Sequence, residues 1–134
     1  MLFRSSFEWP VRIYWEDTDA GGIVFYANYL KFFERARTEW LRRLGIEQHA
    51  LKAETGGMFV VSETQVKYHR PAVLDDVLRV TAHLSQSGRA SLIIGQQAWR
   101  RETLLCEGQI RIGWVHAQTL QPQRIPTSIL ERLS

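Results

Sequence analysis

A chain of 134 residues, 45% apolar and with five Trp, is expected to form one globular domain that buries about two thirds of its unfolded surface without a metal or disulfide staple. No stretch approaches the ~20 apolar residues of a membrane span, residues 1–17 lack the apolar run of a signal peptide, and Cys106 is the lone cysteine, so a cytoplasmic location is expected. The net charge of +3 is mild and the basic residues are scattered, which argues against a nucleic-acid partner; fourteen of the seventeen are Arg, and either a small polyanionic ligand or plain compositional bias accounts for that.

Residues 10–16 alternate, with Val11, Ile13 and Trp15 opposite Arg12, Tyr14 and Glu16, and this predicts a half-buried strand. The turn DTDAGG ends it. From Asn28, read as an N-cap, the spacing becomes helical. Tyr29, Phe33, Ala36, Trp40 and Leu44 form a stripe that Leu30 and Leu41 widen, and Gly45 supplies the stop. Residues 46–57 are expected to be a less regular connection. Four strands follow: 58–69, with Val60, Thr64, Val66 and Tyr68 on one face; 76–85; 91–100, apolar on both faces and hence central; and a last one with Leu104, Cys106, Ile110, Ile112 and Trp114 on one face. Ser87-Gly88-Arg89 reads as a hairpin turn, and residues 127–133 as a short helix. One strand, a long helix and four strands joined by short connections define an α+β domain in which an antiparallel sheet covers one helix. Such a sheet leaves edges, which dimerisation commonly removes.

The chain owns four Asp, and Asp17 and Asp19 both lie in the turn before the helix. Gly21 and Gly22 allow positive φ and close approach of a ligand, and the helix start favours anions. One reading is ordinary turn chemistry, with Asp17 or Thr18 capping local backbone. The other is a carboxylate acting as nucleophile or general base on a carbonyl, with N–H groups at the helix start receiving the oxyanion.

Arg12-Ile13, Thr18-Asp19, Gly22-Ile23-Val24-Phe25-Tyr26 and Asn28-Tyr29 resemble the signature of hot-dog acyl-CoA thioesterases of the 4-hydroxybenzoyl-CoA thioesterase type. FYANYLKFFERARTEWLRRLGI, VKYHRPAVLDDVL and PTSIL extend the similarity to the Tol-Pal-associated branch over essentially the whole chain. The resemblance implies a five-stranded antiparallel sheet around the long helix, assembly into homodimers or homotetramers, and active sites at the subunit interface. It implies hydrolysis of a short-chain or aryl acyl-CoA, with coenzyme A as part of the substrate and no other cofactor, and acyl carrier protein as a further candidate partner.

In residue terms, the resemblance makes Asp19 the catalytic carboxylate, attacking the thioester or activating water. It makes the Tyr26 backbone N–H the oxyanion donor. Gly22 lets the thioester come close, and the aromatic face of the helix either serves the core alone or, through Phe25, Tyr29 and Phe33 near its beginning, also lines an acyl pocket. Arg89 and Ser91, in the turn SGRAS, match the family's basic turn that meets nucleotide phosphates. Tyr26 is a departure, since Tol-Pal-associated members commonly carry His there, and this bears on acyl specificity. Asp17 either orients the turn, positions water or serves structure.

Two other functions compete with hydrolysis. A hot-dog hydratase or dehydratase resembles this fold but uses a His with a carboxylate, and in the hydratase motif that His comes five residues after the Asp, where this chain has Val24. A non-catalytic module binding acyl-CoA, acyl carrier protein or an envelope-complex partner would not need Asp19 in its full turn. No pair among the four His has metal-ligand spacing, so no metal site is expected. His69 is either a strand-end polar residue or a neighbour of the interface pocket, and Cys106 belongs to an apolar stripe.

Overall fold

A computed structural model describes residues 7–133. The elements are β1 (Phe7–Arg12), α1 (Asn28–Arg43), α2 (Gln48–Thr55), β2 (Gly57–Tyr68), β3 (Val77–Ser87), β4 (Ser91–Arg100), β5 (Thr103–His116) and α3 (Thr127–Leu133). The five strands form one antiparallel sheet in the order β1-β3-β4-β5-β2. This is the α+β architecture expected from the pattern, with β4 at its centre and β1 and β2 as the edges.

The sixteen residues of α1 bury Tyr29, Phe32, Phe33, Ala36, Trp40 and Leu41, and the helix packs against β3 and β1. Leu78, Val80 and Ala82 of β3, Leu92, Ile94 and Ala98 of β4 and Cys106, Ile110, Ile112 and Trp114 of β5 meet that face in one core. Burying a side chain of Leu or Phe size contributes roughly 1.5–3 kcal/mol, so this apolar face dominates the helix's stability. Gly45, at φ 80°, ends α1 as expected.

Several expectations are corrected. The first strand covers Phe7–Arg12, and Trp15–Asp17 is a single 3₁₀ turn. Val11 and Ile13 are buried, whereas Trp15 is 79% exposed, because the chain turns before the alternation reaches it. Asn28 is the first helical residue, with Ala27 in the capping position, and its amide is used elsewhere. Leu30 is 42% exposed and Phe32 occupies the core position expected of it. The connection before β2 contains α2, whose start is capped by Glu47 accepting from the His49 N–H and whose residues are never fully buried. With no buried stripe, α2 leaves little helical periodicity in the sequence.

Three strands carry an irregularity that shifts the face, at Ser62 in β2, Ser85 in β3 and Leu105 in β5. Between Val61 and Glu63 the register of β2 against β5 slips. A bulge at Ser62 puts Phe59 and Val61 on the same face as Thr64, Val66 and Tyr68, and removes Val60 from it. In β5 the shift opposite Ala98 and Trp99 inserts Leu105, so Leu105 and Cys106 are both buried while Leu104 is half-buried.

Candidate active site

The segment between β1 and α1 is a small pinned hairpin. Isolated bridges join Thr18 to Val24 and Ile23 to Val73. The Asp19 N–H donates to the Ile23 carbonyl at 2.8 Å, and the Gly22 N–H returns to the Asp19 carbonyl at 3.0 Å. Gly22 has φ 84°, a conformation that L side chains rarely adopt. Nothing lies within 4 Å of where a Cβ on Gly22 would stand, so the glycine is there for its backbone and leaves open space above the turn.

The two aspartates have separate fates. Asp17 is buried. Its Oδ2 accepts from the Tyr14 N–H at 2.8 Å, and its carbonyl takes both the Phe25 N–H at 3.0 Å and the Asn28 Nδ2 at 2.8 Å. Every one of these contacts ties the loop to its surroundings, two of them to the helix start, so Asp17 is a structural anchor. Asp19 is exposed. Its Oδ1 accepts from the Gly21 N–H at 2.8 Å, which orients the carboxylate, and its Oδ2 has no hydrogen bond among the described residues.

The helix start beside this carboxylate offers donors. The Asn28 N–H is spent on the Phe25 carbonyl, but the N–H groups of Tyr26 and Ala27 donate to no group among the described residues. Free N–H groups at the positive end of a helix favour an anion. A carboxylate with an open oxygen and two free N–H groups in one short loop are the parts that addition to a carbonyl requires.

An apolar cleft of about 240 Å³ opens next to the hairpin, between Ile23, Val24, Tyr26 and Tyr29 on one side and Tyr68, His69, Arg70 and Pro71 on the other. Tyr68 meets Tyr26 and Tyr29 edge-on, with ring centroids 5.9 and 5.7 Å apart. Tyr29 is only 2% exposed, and its hydroxyl accepts the Ala72 N–H at 3.0 Å, so it is a wall that also holds the facing segment. Burial pushes the Tyr29 and Tyr68 phenols above their ordinary value. The Tyr26 ring is exposed and packs against that of Phe25; Phe25 borders the site without lining the cleft. His69 Nε2 pairs with Glu107 Oε2 at 2.7 Å.

The expected site residues therefore fall into two groups. Asp19, Gly22, Phe25, Tyr26 and Tyr29 are gathered around the hairpin. Arg89 and Ser91 lie at the β3–β4 turn, whereas the hairpin adjoins the start of β3 through the Asp75 N–H bonded to the Ile13 carbonyl. The whole length of β3 separates them, roughly 30 Å at ~3.3 Å per residue. The sequence alone does not place Tyr68, Arg70 and Pro71 in the site; Arg70-Pro71 reads locally as a strand stop, and the Ile23–Val73 bridge together with the Ala72 hydrogen bonds to Val24 and Tyr29 brings it there. Among the described residues no group of three His, Cys, Asp or Glu is gathered that could hold a metal ion, and no helix is long and apolar enough to cross a membrane.

The sheet order, the long helix and a carboxylate hairpin at its start are the layout of a hot-dog thioesterase domain. Residues 21–107 match the sequence pattern of the Thioesterase superfamily, and the chain belongs to that family. It is 43% identical over 125 residues to the acyl-CoA thioester hydrolase YbgC of Escherichia coli O6:H1, covering 92% of each chain. Among solved structures it is similar to a probable thioesterase from Bartonella henselae, with a TM-score of 0.85, 30% identity and coverage of 91% of this chain and all of that one. A thioesterase from Thermus thermophilus, solved with coenzyme A and Zn, superposes with a TM-score of 0.81 at 26% identity over 94% of this chain and 90% of that one.

Proposed function

We propose that this protein hydrolyses an acyl-CoA thioester to a free acid and coenzyme A. The observation that carries the reading is Asp19: an exposed carboxylate, oriented by the Gly21 N–H at 2.8 Å, in the same loop as the N–H groups of Tyr26 and Ala27, which have no partner among the described residues. The relatedness to an acyl-CoA thioester hydrolase over most of the chain supports the substrate class.

In the proposed sequence the thioester carbonyl lies between Asp19 and the helix start. Asp19 either attacks the carbonyl carbon or removes a proton from an attacking water. In both cases the carbonyl electron pair moves to oxygen, where the Tyr26 N–H receives it; losing such a donor typically costs about 3–4 kcal/mol of transition-state stabilisation. Collapse breaks the carbon–sulfur bond and expels coenzyme A as a thiolate. If Asp19 is the nucleophile, water then cleaves the mixed anhydride and restores the carboxylate. A thiolate leaves with a far lower pKa than an alkoxide, so no strong general acid is needed, and no cofactor beyond the substrate's own coenzyme A is invoked.

The tyrosine-walled cleft suits a short-chain or aryl acyl group. Arg89 and Ser91 are assigned to coenzyme A phosphates, and because they stand a strand's length from Asp19 of the same chain, they would serve the site of another copy. A homodimer or homotetramer is therefore part of the reading, and acyl carrier protein is an alternative carrier of the same thioester.

The test is thiol release from a panel of acetyl- to palmitoyl- and aryl-CoA substrates, with circular dichroism as the folding control. Asp19→Asn keeps an oxygen for the Gly21 N–H and is expected to fold, while turnover falls by about 10²–10⁴, the usual scale for a positioned catalytic base. Unchanged hydrolysis in the variant would sink the role of Asp19. No release from any substrate by the unaltered protein would favour a non-catalytic acyl-CoA-binding module.

A further inference from the structure

Away from the hairpin, a cavity of about 200 Å³ opens between the second half of α1 and strands β2, β4 and β5. Its walls include Trp40, Leu41, Phe59, Val61, Ile94 and Ile112, and one guanidinium, that of Arg37, lies among them. Arg37 is half-buried and makes one side-chain hydrogen bond, Nη1 to Gln96 Oε1 at 2.9 Å. Gln96 is itself fixed, donating Nε2 to the Phe33 and Thr81 carbonyls at 2.9 and 3.1 Å. The guanidinium is thus held in place from its sheet side.

No carboxylate among the described residues completes it. Among the described residues no ion pair reaches Arg37. Glu34, one turn earlier and on the cavity rim, interacts with it only at a distance, and its Oε2 is taken by the Thr38 hydroxyl at 2.8 Å. Arg presents five donors. No fully buried side-chain nitrogen among the described residues lacks a partner, so the remaining Arg37 donors reach accessible space, and Arg37 is one of the residues that line the cavity. A partly desolvated cation with no contacting counter-charge is costly, and bidentate pairing with a carboxylate is the contact its geometry fits.

We propose that this cavity binds a carboxylate at the end of an apolar chain, with the carboxylate on Arg37 and the adjoining methylenes against Trp40, Phe59 and Ile94. Two sources share that chemistry. One is a free carboxylic acid, the class of product that thioester hydrolysis releases. The other is the far end of an ω-carboxyacyl chain, which must be long, because Arg37 stands nine positions along α1 from Asn28, about 14 Å of rise. Only the second source rests on the hydrolase reading.

The test is calorimetric titration of the protein with octanoate and with octanamide, together with Arg Nε–H spectra. Neither compound carries a thioester, so the result is independent of turnover. Octanoate is expected to bind at least tenfold more tightly than octanamide and to move the Arg37 Nε–H signal in the unaltered chain, and Arg37→Gln should remove that preference. Thiol release from dodecanedioyl-CoA relative to dodecanoyl-CoA then separates the sources: a preference lost in Arg37→Gln assigns the acyl end, and an unchanged ratio assigns the free acid. Equal affinity for acid and amide in the unaltered chain, or no binding of either, overturns the proposal whatever the variant does. No binding, together with a fall in sedimenting mass on Arg37→Gln, would assign the guanidinium to a second copy's carboxylate instead.

Discussion

Asp17 and Asp19 are the same residue type two positions apart, yet their surroundings send them to different work. Asp17 satisfies the Tyr14 N–H from a buried position, and Asp17→Ala would leave that donor without its partner. The expected cost is about 1–3 kcal/mol, read as a melting temperature several degrees lower, and it contrasts with the loss of turnover without loss of fold expected for Asp19→Asn. A melting temperature unchanged in Asp17→Ala would contradict the anchoring role. A third buried group bears on pH. Burial, then the charge of Glu107, pushes the Cys106 thiol from its ordinary 9.0 up to about 12. A folded-state value above the unfolded one means that the native chain holds its proton longer, so stability is full below pH ~9 and falls as pH rises toward 12. Tyr29 and Tyr68, also raised, act in the same direction at higher pH. Thermal melts between pH 8 and 11 should show this decline, and Cys106→Ala, though less stable at neutral pH, should show a shallower one.

Among the elements, those with a buried stripe were legible and those without were not. α1 alternates core and solvent at helical spacing over sixteen residues, and its bounds match the expectation closely. α2 buries no residue, so nothing in its periodicity marks it. Bulges at Ser62 and Leu105 break the strand period because each adds one unpaired residue, and such an insertion shows only against the partner strand. The start of β2 is held by packing of another kind: a Cβ on Gly57 would overlap the Trp114 indole, which is buried and also meets the Phe59 ring. Gly57→Ala is expected to destabilise the protein by about 1–3 kcal/mol through overpacking. Gly95→Ala meets His83 instead, an exposed side chain free to swing away, and should cost less. Urea melts of the two variants compare them directly, and equal losses would refute the distinction.

On the scale of the whole molecule, β2 is a twelve-residue edge that leaves Val61 51% exposed, and Ile23, Phe25, Tyr26 and Tyr68 add exposed apolar surface. Edges and patches of this kind are usually covered. Sedimentation should give a multiple of the chain mass. The separation of Asp19 from Arg89 allows a sharper prediction. Asp19→Asn and Arg89→Ala chains, each impaired alone, should complement when mixed, because a mixed dimer carries one site with both residues intact. Random exchange between dimers would restore about a quarter of the normal sites. No recovery of kcat/KM on mixing, with exchange verified, would place both residues in separate functions.

The sequence by itself determined the α+β class, the long helix, the central strand, the hairpin at Ser87-Gly88-Arg89 and the loop in which Asp19 stands, because periodicity, glycine turns and local motifs are properties of neighbouring residues. Tertiary structure decided which aspartate is buried and which is open, that Tyr68 to Pro71 close the cleft opposite Tyr26, that Arg89 stands a strand away, and that no carboxylate among the described residues contacts Arg37. Those facts depend on strand pairing and burial between residues distant in the chain, and the contacts that create them have no local signature.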